Sequence, residues 1–238
     1  MFECFREKYI PGGVPVQPKM PDWTGKFLAL GDSNVYEMGV DIMREEIHTS
    51  CANAGVPGSQ YLDIIDKYGE FCTHDNVNHY QSLYVQGGGN NYILGSVNLL
   101  DMGIHMATTG VSDIIFTYRN RIPVYKIVIG GLPFVHPKLR LHDTKSWKDG
   151  NYDYLNRQYK KTFGNVALND IFFGLNGYIE SQCKQWNAVY LDIYPVLAYI
   201  WSKRGTRAWY DEIHYGPDCH RAIARNLKTA WGIDEKNI

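Results

Sequence analysis

Asp211 and His214, near the end of the chain, have the spacing of an acid–base pair. A carboxylate three residues before a histidine can accept a hydrogen bond from the imidazole Nδ1–H, which fixes the tautomer and leaves Nε2 as the base. Such a base can activate a serine hydroxyl, and Ser33 follows a short apolar run at 26–30. Alternatively, the acid and histidine are surface groups before a helix, and Ser33 is a helix N-cap.

Two further segments offer hydrogen-bond donors. Gly58 ends the segment Asn53–Gly58, and its lack of a side chain lets a backbone N–H approach a ligand closely. Asn90 follows three glycines and could point its amide into the same crevice. Each segment also has the composition of an ordinary turn. The two segments can act together only if the fold brings them to one place.

Short apolar runs alternate with segments of helical periodicity along the chain. The predicted strands cover residues 26–30, 49–53, 82–86, 124–131 and 188–194. Helical patterns follow Ser33 and Gly58, cover 107–121 and 152–186, and begin again near Pro217. The alternation predicts an α/β protein, a three-layer α/β/α sandwich with a mainly parallel central sheet. Active sites of such sheets lie at the carboxyl ends of the strands.

Taken in order, the four segments resemble the sequence blocks of the SGNH hydrolases, also called the GDSL family. Gly31-Asp32-Ser33 matches the GDS block, and Asn53–Gly58 resembles the glycine block. Residues 88–91 resemble the G-x-N-D block, with Asn91 where Asp is usual, and Asp211–His214 matches the D-x-x-H block. The resemblance spans residues 26 to about 231 and implies the flavodoxin-like SGNH fold. The segment 31–35 lacks the second glycine of the alternative G-x-S-x-G elbow.

The resemblance implies a role for each of these residues. Ser33 is the nucleophile, His214 the base and then the acid, and Asp211 the group that orients the imidazole. The N–H groups of Ser33 and Gly58 and the side chain of Asn90 form an oxyanion hole. The implied reaction is ester hydrolysis to an acid and an alcohol, with no metal and no other cofactor. Asn91 in place of Asp changes the outer support of its loop, not the donor itself.

The amino-acid composition limits the classes of binding partner and substrate that the chain is expected to have. Lys and Arg number 24 against 25 Asp and Glu, a net charge of −1, which does not favour a nucleic-acid binder. The 18 tyrosines serve core packing or a sugar-binding surface. The resemblance allows acetyl-ester, lipid-ester and thioester substrates. Because aromatic residues are abundant and no long apolar stretch suits an acyl chain, the expected substrate is a small-molecule or glycan ester, in particular an O-acetylated carbohydrate. The aromatic candidates for substrate binding are Trp147, Tyr152 and Trp209.

The basic and aromatic stretch 138–161, within 136–165, has three interpretations. It is a solvated insertion, a wall of a carbohydrate site, or a grip for a phosphate backbone. For the whole chain, the alternatives to an acetylesterase are a lipid-ester or thioester hydrolase and a catalytically silent carbohydrate-binding or structural module on the same scaffold.

The rest of the sequence predicts one compact domain. The 238 residues suit a single α/β domain over 26–238, preceded by an extended Pro- and Gly-rich lead-in over 1–25. The five cysteines form no C-x-x-C pair, so neither a zinc site nor a disulfide framework is expected. No stretch resembles a signal peptide or a membrane span, which predicts a soluble protein without membrane insertion, cytoplasmic or part of a larger assembly. His220 falls inside the last predicted helix and is expected in packing or at the surface.

Overall fold

A computed structural model describes residues 27–48, 51–66, 80–90, 110–120, 122–139 and 166–231. The predicted lead-in over 1–25 lies outside these ranges. So do Asn91, Trp147, Tyr152 and most of the basic and aromatic stretch.

Within the described residues, the centre of the fold is a sheet of five parallel strands in the order β2-β1-β3-β4-β5. The strands are β1 Phe27–Gly31, β2 Cys51–Gly55, β3 Ser82–Gln86, β4 Ile127–Gly130 and β5 Val189–Leu191. β1 to β4 are buried along their whole length, as expected for parallel strands covered on both faces. Because β1 lies between β2 and β3, the order of strands reverses beside it. In open α/β sheets a crevice forms at that point, outside the carboxyl ends of the strands.

Helices cover both faces of the sheet. They are α1 Ser33–Ile47, α2 Val111–Tyr118, α3 Leu168–Trp186, α4 Tyr194–Arg204 and α5 Pro217–Ala230, and residues 61–66 are also helical. One buried cluster joins the sheet to α2, α3 and the helical residues 61–66. The other joins it to α1, α4 and α5. The predicted three-layer α/β/α architecture is confirmed. No helix within the described ranges is long and apolar enough to cross a membrane.

The structure differs from the sequence prediction at particular element ends. The strand predicted over 124–131 begins with a 3₁₀ turn, Val124–Lys126, in which the Lys126 N–H donates to the carbonyl of Pro123 at 2.7 Å. The strand predicted over 188–194 ends at Leu191.

Helix α4 was absent from the sequence prediction. Pro195 lies in its first turn, where proline is well tolerated. Leu197 is its only fully buried residue, so the helix lacks the apolar periodicity that reveals a helix in a sequence.

Candidate active site

Ser33 lies where β1 passes directly into α1. Gly31 ends the strand, and a side chain there would bring a Cβ within 2.1 Å of the Gln86 carbonyl oxygen and 2.4 Å of Val35 Cγ2. The helix is capped by Asp32, whose carboxylate accepts the Asn34 N–H at 3.0 Å. Asp32 is therefore the N-cap of the helix, the role that was the alternative for Ser33. The serine hydroxyl has another partner.

That partner is His214. Ser33 Oγ lies 2.8 Å from His214 Nε2, in position to donate its proton to the ring. On the other side of the imidazole, Nδ1 lies 2.6 Å from Asp211 Oδ2. The second carboxylate oxygen, Oδ1, accepts the backbone N–H groups of Ile213 and His214, each at 2.8 Å. Both oxygens of the acid are thus held, and serine, histidine and aspartate form one continuous chain of hydrogen bonds.

A short loop over 208–216 presents the acid and the histidine. Its base is closed by the Gly216 N–H, which donates to the Ala208 carbonyl at 2.8 Å, and by an antiparallel bridge between Trp209 and Tyr215. Helix α5 begins directly after the loop. The loop is thereby fixed at one end by the body of the fold and carries the acid–base pair at its tip.

The charges around the imidazole favour its protonated form. Burial lowers the pKa of His214, but the hydrogen bond to Asp211 and its charge outweigh burial, and Asp32 and Glu37 add to the effect. The pKa of His214 therefore lies above its ordinary value. Burial has the opposite effect on Asp211 and raises its pKa. The hydrogen bonds and charge of His214, with the N–H of Ile213, outweigh burial and bring this pKa below its ordinary value. The Asp211 carboxylate and the protonated ring of His214 therefore stabilise each other.

Asp32 is a second carboxyl group close to the site. It is 5% exposed, and burial raises its pKa to about 6 against the opposing effects of the Asn34 N–H and the charge of His214. Its carboxylate is therefore more costly to ionise than an exposed one.

The second and third predicted segments meet beside Gly58. Gly58 has a φ of +83° and open space around its Cα, a conformation that favours glycine. The Asn90 side-chain amide donates to the Ser59 carbonyl at 3.0 Å. This bond uses one of the two hydrogens of that amide. The Val56 N–H donates to the Gly31 carbonyl at 2.9 Å, which ties the glycine segment to the end of β1.

Comparison with known proteins identifies the fold. No protein-family model and no curated protein matches the sequence. Solved structures match over most of the chain. An acetylxylan esterase from Geobacillus stearothermophilus has 12% identity and a TM-score of 0.56, over 88% of this chain and 95% of that chain. A lipase/acylhydrolase from Enterococcus faecalis has 13% identity and a TM-score of 0.56, over 86% and 94%. A member of the lipolytic protein G-D-S-L family from Veillonella parvula has 15% identity and a TM-score of 0.55, over 87% and 98%.

The chain has the SGNH hydrolase fold. Three of the four segments that resemble the SGNH blocks lie at the carboxyl ends of β1, β2 and β3, and the fourth lies on the loop before α5. This placement is what brings residues from both ends of the sequence into one site of the SGNH fold.

One predicted substrate contact needs correction. Trp209 is 2% exposed, and its ring packs edge-on against Trp201, with centroids 5.2 Å apart, and against Phe134 at 6.2 Å. A ring enclosed in this way offers no face to a sugar, so Trp209 serves the base of the loop instead. His220 lies in the core of the SGNH fold, with its ring 4.7 Å from that of Tyr215, and burial lowers its pKa to about 3.

Two asparagines without a predicted role hold the segment after β4. The side chain of Asn176 bonds both the N–H and the carbonyl of Leu132, at 2.6 and 3.0 Å. The side chain of Asn169 bonds both groups of Val135, at 2.8 Å each. The asparagines lie seven residues apart on α3, so both fall on its buried face. Polar residues at that spacing within an apolar helix face are the signal that identifies them.

That segment reaches the loop of the acid–base pair. The His136 N–H donates to the Glu212 carbonyl at 2.8 Å. Helix α3, the segment after β4 and the loop over 208–216 are therefore connected by polar contacts. Within the described ranges of this SGNH fold, histidine, cysteine and acidic side chains do not gather in a group of three that would suit a metal ion.

Proposed function

We propose that this protein is a serine esterase that uses Ser33 as nucleophile, His214 as general base and acid, and Asp211 as the orienting carboxylate. The observation that carries the proposal is the hydrogen-bonded chain from Ser33 Oγ through both ring nitrogens of His214 to Asp211, with contacts of 2.8 and 2.6 Å. Nucleophile, base and orienting group within hydrogen-bond reach of one another are the requirement for covalent catalysis by serine.

The proposed reaction has two halves. Ser33 Oγ attacks the carbonyl carbon of an ester while its proton passes to His214 Nε2, and the imidazolium then protonates the departing alcohol. An acyl group remains on Ser33 Oγ. In the second half a water molecule gives its proton to Nε2 and attacks the acyl carbon, and the acid leaves as Ser33 regains its proton.

The negative oxygen of the tetrahedral intermediate is proposed to bind the N–H groups of Ser33 and Gly58 and the amide of Asn90. Ser33 is the first residue of α1, where backbone N–H groups lack partners within the helix and negative charge is favoured. Gly58 adopts a backbone conformation open to a ligand, and Asn90 lies against its neighbour Ser59. One such donor contributes about 3 kcal/mol to stabilisation of the transition state.

The proposed substrate is an O-acetyl ester of a carbohydrate. Support comes from the likeness of the fold to an acetylxylan esterase and from the near-neutral net charge of −1, which suits a neutral glycan. The alternative substrates are a lipid ester or a thioester. The alternative function is a catalytically silent carbohydrate-binding module on the same scaffold. A bonded serine and histidine favour an active enzyme over the silent module.

The test is a panel of esters with two matched serine variants. Acetylated xylo-oligosaccharides, p-nitrophenyl acetate, a long-chain p-nitrophenyl ester and an acyl thioester are compared with wild type, Ser33→Ala and Ser181→Ala. Ser181 is an exposed serine of α3, so its variant controls for the loss of a hydroxyl. We expect acetate release by wild type and Ser181→Ala, and loss of activity in Ser33→Ala. Equal rates for all three proteins would refute the serine mechanism, and faster turnover of the long-chain ester would refute the substrate.

A further inference from the structure

Gln86, the last residue of β3, contacts both sides of the proposed site. It is 2% exposed and lies opposite Gly31 in the sheet register. Its backbone carbonyl accepts the Asp32 N–H at 3.3 Å, so its main chain is bonded to the residue that precedes Ser33. Its side chain extends from the end of the central strand into the packed interior behind the site.

The side-chain oxygen of Gln86 accepts two tyrosine hydroxyls. Tyr215 donates to it at 2.8 Å across 129 positions of sequence, and Tyr84 donates to it at 2.9 Å from two residues earlier in the same strand. Tyr215 is fully buried and is the residue that follows His214. The bond to Tyr215 therefore joins the loop of the acid–base pair to the middle of the sheet.

We propose that Gln86 is a positioning residue. Its main chain holds Asp32, which precedes Ser33, and its side chain holds Tyr215, which follows His214, so that Gln86 sets the distance between Ser33 and His214. The inference rests on the proposed function. Gln86 has no part in the proton transfers, because its side chain bonds tyrosines and not the imidazole. Its effect on the reaction is geometric, and loosening the loop lengthens the path from Ser33 Oγ to His214 Nε2.

The two tyrosines provide a matched pair for the test. Tyr215→Phe and Tyr84→Phe each remove one buried hydroxyl from the same acceptor, and both rings stay in the core. Only Tyr215 belongs to the loop that carries His214. Tyr84 shares a strand with Gln86, so its variant leaves the loop attached.

The measurements are kcat and KM for p-nitrophenyl acetate, together with the unfolding free energy of each variant. We expect kcat of Tyr215→Phe to fall by about 10- to 100-fold, the scale of a small misplacement of catalytic groups, with KM unchanged. For Tyr84→Phe we expect kcat within about twofold of wild type. Its loss of unfolding free energy should be similar to that of Tyr215→Phe. Equal kcat values for the two variants, whether both reduced or both intact, would overturn the inference.

A second readout does not depend on turnover. The proton between His214 Nδ1 and Asp211 Oδ2, which lie 2.6 Å apart, should give a low-field NMR resonance while the ring is held in place. We expect that resonance to broaden or vanish in Tyr215→Phe and to persist in Tyr84→Phe. Its persistence in both would overturn the role of Gln86. A wild-type protein that hydrolyses no ester would instead refute the proposed function, and the resonance would still decide the inference.

Discussion

Ser33 Oγ and His214 Nε2 lie 2.8 Å apart although 181 positions of sequence separate them. The fold closes this distance because Ser33 follows the strand β1, while His214 lies on a loop whose base packs behind the end of β3. The strand order places β1 and β3 side by side. Because these two strands are neighbours, the proposed nucleophile and base lie together.

Asp211→Asn should lower kcat by about four orders of magnitude, because an amide no longer holds the imidazole tautomer that leaves Nε2 free as a base. The fold should persist, since the asparagine oxygen can still accept the N–H groups of Ile213 and His214. The measurement is kcat for p-nitrophenyl acetate with circular dichroism as the check on folding. A loss below about tenfold in a folded variant would rule out the orienting role.

The sequence predicted the layers of the fold and brought Ser33, Asp211 and His214 into one hypothesis. Two kinds of local signal made this possible, the apolar strands and the polar residues that follow them. Helix α4 was missed because its periodicity is weak, with Leu197 alone fully buried. The bond between Gln86 and Tyr215 joins two unremarkable residues 129 positions apart, and no local pattern indicates such a pair. Nor does composition reveal that Trp209 is enclosed by other rings.

The rate of ester hydrolysis should rise with pH through the pKa of His214, because only the neutral imidazole accepts the serine proton. That pKa lies above its ordinary value, partly through the charges of Asp32 and Glu37. Glu37→Gln removes one of those charges, so the midpoint of the kcat/KM profile should move to lower pH. Profiles of wild type and variant measured at constant ionic strength provide the comparison. A midpoint that stays in place or moves upward would contradict this account of the electrostatics.

Asp32→Asn should stabilise the protein above about pH 6. Burial raises the pKa of Asp32 from 3.8 to about 6 in the folded state, so the folded state holds this proton more tightly than the unfolded chain does. Relative to the asparagine variant, the contribution of Asp32 to the free energy of unfolding is therefore fully present below the pKa of the unfolded chain. It is lost as the pH rises through about 6. The difference approaches about 3 kcal/mol above that range.

Asparagine also caps helices well, so the cap on α1 should survive the change. Urea unfolding of both proteins from pH 4 to pH 8 measures the effect. If the free energies of unfolding of the two proteins run parallel over that range, the pKa of Asp32 is not raised by its burial.

Gly31→Ala should destabilise the protein severely, because the new Cβ would lie 2.1 Å from the Gln86 carbonyl oxygen in a sheet that cannot move apart locally. Gly174→Ala is the matched control. Gly174 lies within α3 with open space around it, so alanine should stabilise the helix by about 0.5 to 1 kcal/mol. Thermal unfolding of the two variants gives the comparison, and equal melting temperatures would show that the close approach of β1 to β3 is not required.

The most direct test of the central claim is covalent labelling by a fluorophosphonate, followed by mass spectrometry of the labelled peptide. We expect one adduct on Ser33 in wild type and in Ser181→Ala, and no adduct in Ser33→Ala. His214→Ala should react far more slowly, because the hydroxyl loses its base. Folded wild-type protein that remains unlabelled, or carries its adduct on another residue, would contradict the assignment of Ser33 as a nucleophile activated by His214.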